Sequence, residues 1–189
     1  MDKNKFIYYI SVADDIFRNG QSFDKACVYY KKAKEMYNFF DEAIKKRYLN
    51  LMLRIAKSYC NYIKAKASEE YKKKNYSKAL LFYEDLLFEL TDIKTFPFFE
   101  MGMCLSQVGA IETAIKTYKQ GLDLYPTEYD IFRVMGDLYS KLKTDCAESE
   151  NKNIHLAIHN YEEYCKHYSK NASVYAAIAR AYARLRDEY

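Results

Sequence analysis

Residues 95–126 read TFPFFEMGMCLSQVGAIETAIKTYKQGLDLYP. Apolar residues recur in this stretch at helical spacing in two runs, and Gly109 separates the runs. Small residues, Gly102 in the first run and Ala114 in the second, stand where two helices would have to approach closely. Pro126 ends the unit, because proline cannot continue a helix. The stretch therefore predicts two helices joined by a tight turn, each with one buried face.

The order of residues within this stretch resembles the signature of the tetratricopeptide repeat. That family places an aromatic residue, a glycine, an alanine, a tyrosine, a second small residue and a proline in this order over about 34 residues. The corresponding residues here are Phe98 (where the family usually has tryptophan), Gly102, Ala114, Tyr118, Gly121 and Pro126. The resemblance implies an all-α fold, a right-handed α-solenoid of antiparallel helix hairpins that binds other proteins.

Weaker copies of the pattern lie on both sides of this stretch and divide the chain into repeats. We predict repeats over 6–38, 41–92, 95–126 and 129–169, followed by a terminal helix over 171–189. We assign all of residues 1–189 to one helical domain. The fourth repeat carries an insertion, and we expect the extra residues within KLKTDCAESENKN to form a longer polar turn.

The second repeat is predicted to begin with one unusually long helix. No glycine or proline occurs between Gly20 and Pro97, and periodic apolar residues run from Ile44 to Tyr71. Two apolar stripes share this helix: Ile44, Tyr48, Leu51, Ile55, Tyr59 and Tyr62, and beside them Leu49, Leu53, Ala56, Cys60, Ile63, Ala67 and Tyr71. We expect each stripe to meet a different repeat. We also expect a homodimer through this helix, because the stripes hold more apolar surface than two hairpins can cover.

Composition excludes several other classes of protein. An apolar content of 50% with 30% charged residues excludes a disordered chain, and 5 Gly and 2 Pro leave little material for the turns of a β protein. The net charge of +4 is too small to argue for a nucleic-acid or membrane partner. Between residues 41 and 74, however, ten Lys or Arg face four acids. Nucleic-acid binding through this basic helix is therefore a minor alternative.

The cysteines and the apolar segments indicate a cytoplasmic protein. The five cysteines are odd in number and contain no CxxC pair, which argues against a disulfide framework or a zinc site. The N-terminal MDKNKF leads straight into an amphipathic run, so we expect no signal peptide. No apolar stretch approaches the roughly 20 residues that a membrane span needs.

The sequence contains only weak signals for a metal-binding, phosphate-binding or catalytic site. His155 and His159 have the spacing of paired metal ligands, but no carboxylate lies between them as in HExxH. The glycines are isolated, so no loop can cradle a phosphate, and no Ser or Cys has a recognisable base partner. We therefore expect no metal, no cofactor and no enzymatic activity.

The candidate binding residues are those that remain once the packing positions have been assigned. They are Phe96, Phe99 and Met103 in the central repeat and Arg133, Asp137 and Lys141 in the next one. The resemblance implies that such positions face a concave groove. We expect this groove to be apolar at its centre and charged toward its C-terminal part, and to take up a peptide or helix of a partner.

Three functions fit these features. The first is a scaffold or adaptor that binds a partner segment in the groove. The second is an N-terminal docking domain of a longer enzyme, because the chain stops in ARLRDEY with no Gly or Pro after it. The third is a secretion-type chaperone, because FPFF before a repeat is also found in that branch of the family.

Overall fold

A computed structural model describes residues 2–20, 22–90, 93, 96–144 and 146–186. These residues form nine α-helices and no strand, which confirms the all-α prediction for the described part of the chain. The helices are α1 (Lys3–Asn19), α2 (Phe23–Asn38), α3 (Glu42–Lys72), α4 (Tyr76–Glu89), α5 (Phe98–Gln107), α6 (Ile111–Leu124), α7 (Asp130–Lys141), α8 (Ala147–His167) and α9 (Ala172–Arg186).

The chain divides into two compact units. Unit 1 consists of Met1–Lys73 and Leu81–Phe96, and unit 2 consists of Lys74–Leu80 and Pro97–Tyr189. In unit 1, α1 packs against α2, and both contact α3. In unit 2, α5 packs against α6, α7 against α8 and α8 against α9, while α6 also contacts α7. The assignment of the whole chain to a single domain stays a prediction.

The hairpins of unit 2 are built on tyrosine rings that lie against helical glycines. A Cβ atom added at Gly102 of α5 would lie 2.4 Å from Cε1 of Tyr118, and one added at Gly136 of α7 would lie 2.6 Å from Cδ1 of Tyr161. Glycine inside a helix costs roughly 1 kcal/mol relative to alanine. The contact offsets that cost, because only a residue without a side chain lets the ring reach the helix backbone.

A third glycine joins neighbouring hairpins. A Cβ atom added at Gly121 of α6 would lie 3.0 Å from Cβ of Phe98 in α5 and 3.3 Å from Cδ1 of Ile131 in α7. Both neighbours are buried. Helices α5, α6 and α7 therefore converge on the one position of α6 that carries no side chain.

Unit 1 is held together at one end by aromatic rings. Phe6 of α1 has no solvent exposure, and its ring lies 5.1 Å from Phe40 and 5.3 Å from Tyr48, in edge-to-face geometry in both cases. Phe40 follows α2 and Tyr48 belongs to α3. Aromatic pairs of this geometry contribute about 0.5–1.5 kcal/mol beyond the area that they bury. The cluster thus ties the first turns of α1 to α2 and to the first half of α3.

Helix α3 runs unbroken over 31 residues, which confirms the prediction of an unusually long helix. The predicted second stripe is buried only in its C-terminal part, at Cys60, Ile63 and Ala67. Its first two members, Leu49 and Leu53, are 45% and 47% exposed. At this end, the second stripe therefore does not meet a repeat as expected, and part of its apolar surface stays uncovered. The extra residues lengthen the helix without adding a second helix to cover the added turns.

Carboxylates of α4 bind polar groups of α2 and α3. Tyr59 of α3 donates a hydrogen bond to Asp85 of α4. Tyr30 and Lys34 of α2 donate hydrogen bonds of 3.0 and 2.7 Å, respectively, to Oε2 of Glu89. The Glu89 side chain is only 5% exposed, and its charge is paired with Lys34, whose side chain is 29% exposed. This polar seam holds the C-terminal half of α4 in unit 1.

The insertion of the fourth repeat is mostly helical. We expected a longer polar turn there, but α8 already begins at Ala147 and continues for 21 residues. Glu148 and Glu150 lie in its first turn, where negative charge stabilises a helix through the helix dipole. The inserted residues therefore extend α8 at its N-terminus, and the turn expectation is wrong.

Because α6 is tightly packed at Ala114, a larger side chain at this position should destabilise the protein. Ala114 is completely buried one helical turn before Tyr118, so replacing it with leucine should lower the free energy of unfolding by about 1–3 kcal/mol. Urea denaturation followed by circular dichroism measures this change. Ala183→Leu makes the same change at an exposed position of α9 and should stay within about 0.5 kcal/mol of wild type. Equal stability of the two variants would contradict the packing.

Two buried thiols, those of Cys60 and Cys104, predict a loss of stability at alkaline pH. Burial raises the pKa of Cys60 and of Cys104 to about 11. In an unfolded chain a thiol ionises near pH 8.5, so the stabilisation is complete below about that pH and declines as the pH rises further. The free energy of unfolding, measured under reducing conditions, should fall between about pH 8 and pH 11. A Cys60→Ala/Cys104→Ala variant should show a smaller fall, and an identical slope would refute the assignment.

Candidate partner-binding surface

The apolar part of the predicted surface lies on α5. Phe98, Met101 and Leu105 fill the buried face of this helix. Phe99 and Met103 lie outside that face and are half-buried. The Phe99 ring packs at 6.1 Å from the Tyr118 ring, tilted by 54°. One side of Phe99 is therefore supported by the hairpin, while part of its surface remains accessible.

Phe96 differs from the other predicted residues. It is 3% exposed, and its ring lies 6.4 Å from Tyr83 in edge-to-face geometry. It precedes Pro97 and the first turn of α5, so helical spacing does not describe its direction. Phe96 therefore offers almost no surface to a partner, unlike the other five predicted residues.

The charged part of the surface lies on α7. Arg133, Asp137 and Lys141 are spaced four residues apart and so follow one face of the helix. Nη1 of Arg133 lies 3.4 Å from Oδ2 of Asp137, and both side chains are about two-fifths exposed, at 38% and 42%. Lys141 is exposed. A surface pair of this kind contributes about 1 kcal/mol or less to stability, so Arg133 can exchange it for a partner carboxylate at small cost.

Asp137 is held in place by the neighbouring helix. Tyr161 of α8 donates a hydrogen bond of 2.8 Å to Oδ1 of Asp137. Burial, together with this hydrogen bond, raises the pKa of Tyr161 to about 12, so the phenol stays protonated at neutral pH. The absence of a side chain at Gly136 is what lets the Tyr161 ring reach α7. The residue pair that forms the hairpin therefore also positions a carboxylate of the surface.

Helix α9 contributes basic residues that the sequence analysis did not select. Arg184 donates a hydrogen bond of 2.8 Å to the carbonyl oxygen of Ser140 and one of 2.6 Å to Oε1 of Glu150. The positive charge of Arg180 opposes part of the rise in the pKa of Tyr161. The spacing of four residues between Arg180 and Arg184 was the available signal.

The arrangement supports binding by contact. Among the described residues, no group of three or more His, Cys, Asp or Glu could hold a metal ion. His155 and His159 are both exposed on α8. No described helix is long and apolar enough to cross a membrane. Two apolar side chains on α5 and a row of charges on α7 can instead contact a polypeptide.

Comparisons with known proteins find distant structural likenesses. No protein-family model matches the sequence, and no curated protein matches it significantly. The chain is similar to PcrH from Pseudomonas aeruginosa, with 16% identity, a TM-score of 0.41 and coverage of 68% of this chain and 89% of that one. It is also similar to the MamA protein, with 18% identity, a TM-score of 0.49 and coverage of 99% and 87%. The packing of the helices shows the fold type directly.

That packing follows the residue order found in the sequence. Gly102 of α5 receives the ring of Tyr118 from α6, and Gly136 of α7 receives the ring of Tyr161 from α8. Ala114 and Ala157, four residues before each tyrosine, are completely buried. These repeated hairpins give the described part of the chain an all-helical repeat fold, and they bring together the residues whose order resembles the tetratricopeptide repeat.

Proposed function

We propose that this chain is a protein-binding scaffold that holds a peptide or a helix of a partner against the candidate surface of unit 2. The observation that carries the proposal is on α5. The packing positions of that helix are filled by Phe98, Met101 and Leu105, yet Phe99 and Met103 keep part of their apolar surface accessible. Apolar anchors of this kind supply most of the binding energy in peptide recognition.

The charges on α7 and α9 favour a particular kind of partner. Asp137 is already occupied by Tyr161 and Arg133, whereas Lys141 is exposed. Arg180 adds a further positive charge near Tyr161. The partner segment therefore carries one or two aliphatic or aromatic anchors, with acidic residues on the side that faces α7. Such a segment acts as a ligand and not as a substrate, and we infer a non-enzymatic role in the cytoplasm.

Peptide selection tests this function directly. A random peptide library displayed on phage is selected against the wild-type protein, and the enriched peptides are synthesised. Phe99→Ala with Met103→Ala should weaken their binding by about 1–2 kcal/mol or more, because both anchor contacts are removed. Binding is measured by fluorescence anisotropy, and helicity and Tm of the variant are recorded by circular dichroism. Failure to enrich any binder would refute the proposal.

Two control variants separate binding from folding. Val28→Ala with Phe39→Ala removes two apolar side chains of unit 1 that are 53% and 76% exposed, and it should leave peptide binding unchanged. Lys141→Glu changes only an exposed charge and should weaken acidic peptides selectively, most strongly at low salt. Equal binding of the peptides to wild type and to Phe99→Ala/Met103→Ala would place the binding site elsewhere.

A further inference from the structure

The first half of α3 carries a second exposed surface, far from the residues discussed above in sequence and located in unit 1. Its buried side consists of Met52, Ile55 and Tyr59. On the opposite side, Lys46, Leu49, Asn50, Leu53 and Lys57 are all exposed, and we call these five residues the α3 outer face. Leu49 and Leu53 lie one helical turn apart and are 45% and 47% exposed.

The two leucines are the uncovered beginning of a stripe that is buried further along the same helix. From Cys60 to Ala67 this stripe is at most 8% exposed. The stripe therefore begins about three turns before its first buried member, Cys60, on turns that unit 1 covers only on their other side. Scattered single leucines are normal on a surface, but a continued stripe at helical spacing indicates a helix-sized contact.

The charged residues of α3 that lie nearest in sequence to the leucines, on both sides of them, are all basic. From residue 43 to residue 68 the sequence contains seven Lys or Arg and no Asp or Glu. Arg54 is bound through Nε and Nη2 to Asp14, at 3.1 and 2.7 Å, and Arg18 binds the same carboxylate at 2.8 Å. One carboxylate thus holds two guanidinium groups, so the edge of the outer face next to α1 keeps a net positive charge.

These charges decide between the candidate occupants. The homodimer predicted from the sequence would bring Lys46 and Lys57 of one copy against the same residues of the other, and like charges in contact oppose association. A nucleic acid would leave Leu49 and Leu53 without a role and finds no stacking ring on this face. Nearby Tyr62 stacks on Phe23 at 5.1 Å and donates its hydroxyl to Asp24. A helix with its own leucines and flanking carboxylates satisfies both the apolar and the charged groups.

We propose that the α3 outer face is a docking site for an acidic amphipathic helix of a partner protein. Leu49 and Leu53 receive two apolar side chains spaced by four residues, and Lys46 and Lys57 pair with carboxylates on either side of them. Lys46 and Lys57 are eleven residues apart, which corresponds to about 16 Å along α3, or three turns of the bound helix. This surface belongs to unit 1 and shares no residue with the one on α5 and α7.

The test uses the full chain and a defined probe. The probe is a fluorescent, helix-favouring peptide of about 18 residues, long enough for five turns, with leucines at one i, i+4 pair and glutamates flanking them. Micromolar binding that weakens as salt is raised is the expected result. Both Leu49→Ala/Leu53→Ala and Lys46→Glu/Lys57→Glu should weaken it at least tenfold, because each removes one half of the contact.

Matched controls make the result specific. Val28→Ala/Leu81→Ala removes two other exposed apolar side chains of unit 1, and Lys25→Glu/Lys72→Glu reverses two other exposed charges there. Both should bind the probe as wild type does, and a peptide with lysines in place of the glutamates should not bind. Equal binding to the leucine variant, or tighter binding of a single-stranded oligonucleotide of equal charge, would overturn the proposal. A wild-type dimer that Leu49→Ala/Leu53→Ala dissolves in sedimentation would also overturn it.

Discussion

The fold of unit 2 depends on the contact between a tyrosine ring and a helix position that has no side chain. Gly102 with Tyr118 and Gly136 with Tyr161 are the two instances. Because each ring lies directly over the backbone of the facing helix, the separation of the two helices is set by the thickness of a ring. The completely buried alanines that precede the tyrosines continue the same close approach. The remaining apolar residues fill the space that this spacing leaves.

The same contact connects the core to the surface. The Tyr161 ring enters against Gly136, and its hydroxyl emerges at Asp137, one residue further along α7. A tyrosine can do this because its ring is apolar and its hydroxyl can stay at the edge of the buried region. The orientation of Asp137, and through it the pairing of Arg133, thus follows from packing inside the hairpin. The geometry of this part of the candidate surface therefore follows from the packing of the core.

Unit 1 is stabilised in a different way, because its long helix does not fit a regular hairpin. Its contacts are aromatic around Phe6 and polar between α4 and the preceding helices. Asp14 has a buried carboxylate where a regular repeat would have a small residue, and it binds Arg54 of α3. The Arg54 side chain is 52% exposed, so this pair links α1 to α3 at the edge of the buried region. The length of α3 leaves its outer face open to solvent.

The sequence by itself determined the helical class, the hairpins and the length of α3, because apolar spacing, glycine and proline act within a few residues of the backbone. It also predicted Phe99, Met103, Arg133, Asp137 and Lys141 as candidate binding residues. Two of them also contact the hairpins, since Phe99 lies against Tyr118 and Asp137 accepts a hydrogen bond from Tyr161. Only the tertiary structure decided that Phe96 is buried against Tyr83, that Arg184 of α9 binds α7 and α8, and that Leu49 and Leu53 stay exposed. Each of these outcomes depends on a residue or a gap that lies far away in the sequence. Helical periodicity gives the direction in which a side chain points from the axis of its helix. It does not give which other helix, if any, packs against that side chain.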